Sequence, residues 1–195
     1  MSLVNDIILY LIEALGGLFL GMVILRFLLQ WARADFYNPV TQAIVKITQP
    51  LLAPLRRVIP SVMGLDIACI VLAILIQVII GELISLVLTH GIYNIANLLL
   101  FAVIANLKIT TYIFFVAFIV LVISSFVAPY SANPFIALAR QLTEPLAQPI
   151  QRLIPPIGGL DFSVFFLFIG INILQKVLDA VAVKIGLFPL LVIGY

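Results

Sequence analysis

Apolar residues in this chain run in four long, nearly unbroken blocks rather than in stripes. Residues 7–29 are interrupted by charge only at Glu13 and Arg26, and residues 67–88 only at Glu82. Residues 109–128 carry no charge, and residues 162–183 carry Lys176 and Asp179 near their end. A helix needs about 20 mostly apolar residues to cross a ~30 Å hydrocarbon layer, so each block predicts a transmembrane helix. The two late charges of the fourth block are placed to snorkel to the interface. A fifth stretch, residues 92–107, is short for a span and holds Asn94, Asn97 and Asn106. It reads as a connector, as an interfacial helix, or as an N-terminal extension of the third span.

Between the paired blocks the pattern changes. In residues 38–65, Val40, Ala43, Ile44, Ile47 and Leu51 recur at helical spacing opposite Gln42, Lys46 and Gln49. In residues 133–160, Phe135, Leu138, Leu142 and Leu146 face Arg140, Gln141 and Glu144. Such periodicity at low net hydrophobicity predicts a helix lying in the membrane interface.

These stretches are copies of one another. Residues 38–79 slide onto residues 133–174 without a gap, and 15 of 42 positions are identical. The telling matches are Asn38/Asn133, Pro39/Pro134, Thr48/Thr143, Pro50/Pro145, Pro54/Pro149, Arg57/Arg152, Pro60/Pro155, Gly64/Gly159 and Asp66/Asp161. Eight of eleven prolines fall in matched pairs, which apolar bias alone does not produce. The chain therefore divides into a first repeat over residues 1–90, a connector over 91–108 and a second repeat over 109–195.

Each copy opens on Asn-Pro, a helix cap followed by the residue best suited to the first helical position. Pro50, Pro54 and Pro60 are then expected to break the helix, making a hook at headgroup depth where Arg56, Arg57 and Arg152 meet anionic headgroups. Gly64 turns the chain, and Asp66, like Asp161, is expected to cap the next span by accepting its free N–H groups. The fold class is all-α membrane protein: four transmembrane helices in two tandem repeats, each with an interfacial amphipathic helix and a proline-broken hook.

Composition agrees with a lipid environment, since 65% of residues are hydrophobic, only 9% are charged and mean hydropathy is +1.32. An acid stands where a signal peptide would carry bases, so the first block is expected to stay in the membrane. The basic residues Arg33, Lys46, Arg56, Arg57, Arg140 and Arg152 gather in the two hook loops, which orients both hooks to the cytoplasm. Scattered over a net charge of +2, they offer nucleic acid no footprint. One cysteine, Cys69, and one histidine, His90, give no basis for a disulfide, a metal site or nucleophilic catalysis, and no phosphate-binding glycine motif occurs. No cofactor is expected.

Some polar positions inside the spans remain as candidates. Gln77 and Asn172 are repeat-equivalent carboxamides at mid-membrane depth, suited to bonding across the repeat interface or to lining a solute path. Glu82 lies two turns before His90 as a potential partner, and Arg26 is placed to snorkel. Gly17 and Gly21 form a G-x-x-x-G pattern, which allows helix packing within the chain or dimerisation.

The doubled pattern NP-x(8)-T-x-P-x(3)-P-x(2)-R-x-I-P-x(3)-GLD between hydrophobic spans resembles the YggT family of bacterial and plastid membrane proteins, in its two-copy proteobacterial form. The resemblance implies a multi-pass protein of the bacterial inner membrane without an established enzymatic activity. It also implies links to division gene clusters, osmotic stress tolerance and, in plastids, cytochrome maturation and nucleoid organisation. The functional expectation is a non-enzymatic organiser whose cytoplasmic hooks hold anionic lipid or a division-related protein partner, as a monomer or homo-oligomer. The alternative is a small ion or solute conduit at the repeat interface.

Overall fold

The computed structural model describes residues 3–62, 64–127, 131–153 and 163–195. Six α-helices make up the fold: α1 (Leu3–Trp31), α2 (Pro39–Val58), α3 (Ile67–Thr89), α4 (Ile95–Val127), α5 (Pro134–Leu153) and α6 (Ser163–Lys184). Helices α1, α3, α4 and α6 are long and apolar enough to cross a membrane.

The stretch considered as a connector is instead the first third of α4, which runs unbroken through Asn97 and Asn106. Its 33 residues make about 50 Å of helix at 1.5 Å per residue, well beyond the ~30 Å apolar layer. The Asn94 side chain caps its start, accepting from Ala96 N at 2.9 Å. Four helices long and apolar enough to cross a membrane therefore remain.

The prolines correct a second expectation. Pro50 and Pro54 lie inside α2, and Pro145 and Pro149 inside α5, and neither helix is broken. Pro50 and Pro54 both face outward, so the carbonyls they leave unbonded four residues back, on Lys46 and Pro50, point away from the core. Helix α2 ends only at Ile59, held extended (φ −109°, ψ 105°) because a residue before proline avoids helical backbone. Beyond it Val62 and Leu65 bridge back to back, with Gly64 at φ +80°, a conformation that favours glycine.

The spans of the two repeats pair in one register. Gly16 of α1 lies against Ile80 of α3. Ninety-five residues further along in each case (111 − 16 = 175 − 80), Thr111 of α4 accepts from Gln175 of α6 at 3.1 Å. The larger core cluster joins all six helices through residues such as Leu28, Leu52, Leu72, Phe118, Leu142 and Leu167. A second cluster unites α3, α4 and α6 with the C-terminal tail through Ile84, Phe101, Ala182 and Leu191.

That tail returns into the bundle. After Gly186 (φ +68°) a 3-10 turn at Pro189–Leu191 leads to Val192 and Ile193, which pack beside α3. Gly81 permits the approach, since a Cβ there would stand 2.8 Å from the Leu191 carbonyl oxygen. Ile193 also lies 3.4 Å from where a Gly17 Cβ would be, whereas Gly21 meets nothing within 4 Å. Gly17 thus serves packing within the chain.

Candidate functional site

The polar groups of the first repeat converge where α1, α2 and the start of α3 meet. The apolar stripe Val40, Ala43, Ile44, Ile47 and Leu51, expected to lie in the interface, divides in the structure: Ile44 is buried together with Thr41, Thr48 and Leu52, and Val40 is half-buried. Ile47, Leu51 and Val58 stay 47%, 51% and 81% exposed, on a separate lateral row. On the buried side Thr48 has a partner: Arg26, reaching across from α1.

Arg26 does not snorkel; it is buried. Its guanidinium donates to Thr48 Oγ1 at 2.7 Å, Val45 O at 3.2 Å and Gln49 Oε1 at 2.8 Å. Thr48 passes its own proton to Ile44 O at 2.7 Å. A buried cation is tolerated when its donors are satisfied, and polar atoms of α2 do this for Arg26.

Asp66 stands at the head of α3 but makes no side-chain cap bond. Its carboxylate turns to Arg56, accepting from Nε at 2.9 Å and from Nη2, and also accepts from the Cys69 thiol at 3.2 Å. A charge-assisted, two-pronged bond is stronger than a neutral one to backbone N–H, so the guanidinium wins. Burial alone would push the Asp66 carboxyl up. The Arg56 and Cys69 hydrogen bonds and the positive charges of Arg56 and Arg26 overcome that and hold it below its ordinary value. Gln30 of α1 ties down the turn by donating to Gly64 O at 3.0 Å.

The matched positions of the motif differ in their surroundings. Asn38 and Asn133 both cap their helices, accepting at 2.9 Å from Val40 N and Phe135 N. Asn38 is buried and also donates to Pro134 O at 2.9 Å, joining the two surface helices, while Asn133 is exposed. Pro39 and Pro134 begin α2 and α5. Arg57 and Arg152 are both exposed, near the ends of those helices. Asp161, Pro155 and Gly159 lie outside the described residues.

The intramembrane candidates do not converge. Gln77 is fully buried, donating to Ile193 O at 2.8 Å and accepting from Ile193 N at 3.1 Å. Its repeat mate Asn172 is exposed and bonds its own helix at Phe168 O. Glu82 takes the Tyr93 N–H at 3.2 Å rather than His90, because His90 closes α3 in a left-handed turn at φ 54°. Asp179 pairs with Lys108, whose ammonium also lies 3.6 Å from the Tyr195 ring centroid. The sequence reading missed Arg26 with Thr48, Lys108 with Asp179, and the tail. Thr48 gave a signal as the one hydroxyl shared by both motif copies.

Four apolar spans carrying two amphipathic helices define the class: a multi-pass helical membrane protein. The CCB3/YggT family model matches the chain twice, over residues 5–88 and 86–182, and the chain belongs to that family. A Pseudomonas aeruginosa protein is 44% identical over 94% of each chain. A Vibrio alginolyticus protein is 42% identical over 84% of this chain and 88% of its own. Escherichia coli YggT is 35% identical over 85% of this chain and 86% of its own. No solved structure matches.

Proposed function

We propose that this protein is an inner-membrane accessory or organising protein, with no reaction of its own, that supports the envelope, division or osmotic balance through its two surface helices. The observation that carries the reading is the three-sided construction of α2. One side docks on the bundle through Thr41, Ile44, Thr48 and Leu52. A lateral apolar row of Ala43, Ile47, Leu51, Pro54 and Val58 is exposed, and a polar side bears Gln42, Lys46, Gln49 and Arg57. An unburied apolar row beside a basic face suits the acyl–headgroup boundary of an anionic membrane. Arg57 and Arg152 supply the matching charge for headgroups or for an acidic partner, and the basic bias of this side orients it to the cytoplasm. The conduit alternative gains no support, because Gln77 is sealed by the tail and Asn172 faces outward.

Labelling of Arg57→Cys and Arg152→Cys in sealed inner-membrane vesicles tests the placement. Both are expected to react from the cytoplasmic face only, and to crosslink to lipid or one recurrent protein. Reaction from opposite faces would falsify the reading.

A further inference from the structure

A cavity of about 500 Å3 opens between the end of α1 and the start of α2. Arg26, Arg33 and Arg56 stand in its wall, and among the described residues no Asp or Glu lines it. Three positive wall residues less the Asp66 carboxylate behind Arg56 leave a surplus of two charges. Arg33 forms no salt bridge among the described residues, and its backbone sits in the left-handed region at φ 52°, unusual for a residue with a side chain.

An independent feature points the same way. Thr41 lines this cavity and is 7% exposed, yet its buried hydroxyl has no hydrogen-bond partner among the described residues. A mid-helix threonine bonds the carbonyl four residues back, as Thr48 does with Ile44. Thr41 stands in the first turn of α2, where that carbonyl, on Tyr37, precedes the helix. A buried hydroxyl without a partner is costly, and a ligand oxygen would satisfy it. The positive end of the α2 dipole adds to the same attraction.

We infer that this cavity binds a phosphate-bearing anion, with Arg26, Arg33 and Arg56 supplying charge and Thr41 donating a hydrogen bond to a phosphate oxygen. Guanidinium forks match the geometry of phosphate oxygens. A volume of this size holds a headgroup-sized molecule, and Phe36 gives the wall an apolar side. The anion is a lipid phosphodiester or a soluble phosphate; both present the same oxygens. The second repeat has no counterpart: 95 positions on, Arg26, Arg33, Thr41 and Arg56 become Leu121, Ala128, Ile136 and Gln151.

The test uses the full chain, stripped of lipid in detergent, with native mass spectrometry reading bound adducts. Phosphatidylglycerol and inorganic phosphate are titrated separately. One saturable adduct per chain is expected from at least one of them, and which one identifies the source. Thr41→Val is expected to weaken it about fivefold and Arg33→Gln about tenfold, the scale of one neutral and one charged hydrogen bond. Thr41→Ser should retain it, as should Lys184→Gln at the exposed end of α6. Arg33 is exposed, so its variant reads the site even if Thr41→Val folds poorly. No saturable adduct from either ligand overturns the proposal. So does equal weakening by Lys184→Gln, which means diffuse surface attraction. The lipid arm rests on the membrane-surface reading of α2. Correct vesicle labelling without a saturable adduct removes the cavity site alone; mislabelling removes the surface reading and leaves the inorganic phosphate arm to judge the cavity.

Discussion

The two surface helices share a template and differ in what surrounds them. Both open on a capping Asn-Pro, keep two prolines inside an unbroken helix and bury a motif threonine, Thr48 or Thr143. Around α2 the threonine accepts from Arg26, and a charged network runs on through Gln49 and Arg56 to Asp66. Around α5 the matching residue of α4 is Leu121, and Thr143 only returns its proton to Ala139 O and Arg140 O. The lateral rows diverge too. Ile47 is 47% exposed, while its counterpart Leu142 is 3% exposed: α5 sets Leu138, Ala139 and Leu142 into the main core, where α2 sets Ile44 and Leu52. Duplication preserved the backbone device; the polar filling was free to specialise, and it did so on the side left open.

The largest expected contrast lies at the equivalent pair Gln77 and Asn172. Gln77→Leu orphans the buried N–H and C=O of Ile193, costing about 2–6 kcal/mol at ~1–3 kcal/mol per unsatisfied group. It should also free the tail for carboxypeptidase. Asn172→Leu, on an exposed face, should stay within about 0.5 kcal/mol. Thermal unfolding in detergent with timed proteolysis reads both, and equal effects would remove the claim that the tail makes the repeats unlike. Gly81→Ala should expose the tail similarly, since its Cβ meets Leu191 backbone.

Next comes Asp66→Ala, which leaves Arg56 without its carboxylate beside Arg26. Because the Arg56 side chain is 35% exposed, water compensates in part, and a loss of about 1–2 kcal/mol is expected from a broken charged hydrogen bond. Arg26→Leu, which installs the second repeat's residue, should cost less, about 1 kcal/mol, since removing a buried cation also removes its desolvation penalty. A loss above that of Asp66→Ala would show the first repeat depends on its charged network for stability.

The smallest effect is acid sensitivity. The folded Asp66 carboxyl sits below its ordinary value, so its stabilisation is present above the unfolded-state value near pH 4 and fades as pH falls through the folded value. Unfolding midpoints of the native chain and Asp66→Asn should converge below about pH 4. A gap that persists into stronger acid would contradict the assigned pairing.

Much of the architecture was legible along the chain. Four blocks of apolar residues and two amphipathic stretches became α1, α3, α4, α6, α2 and α5. Residue-level periodicity showed that α2 and α5 are amphipathic but not which residues of α2 meet the bundle: beside Ile44 the buried line holds Thr41 and Thr48, and the Thr48 hydroxyl meets Arg26 there. Proline was misread by the same local logic. A proline weakens a helix by orphaning one carbonyl, and at Pro50 and Pro54 that carbonyl points outward, so the helix continues.

What sequence alone determined is how many segments are long and apolar enough to cross a membrane, which are amphipathic and that one unit occurs twice, because length, hydropathy and proline spacing are properties of a segment by itself. Which polar groups meet was decided by tertiary structure. Spans that are apolar all round carry no stripe to set their rotation. The meeting of Arg26 with Thr48, of Lys108 with Asp179, and of Gln77 with a returning tail therefore depends on how the helices turn and slide against one another.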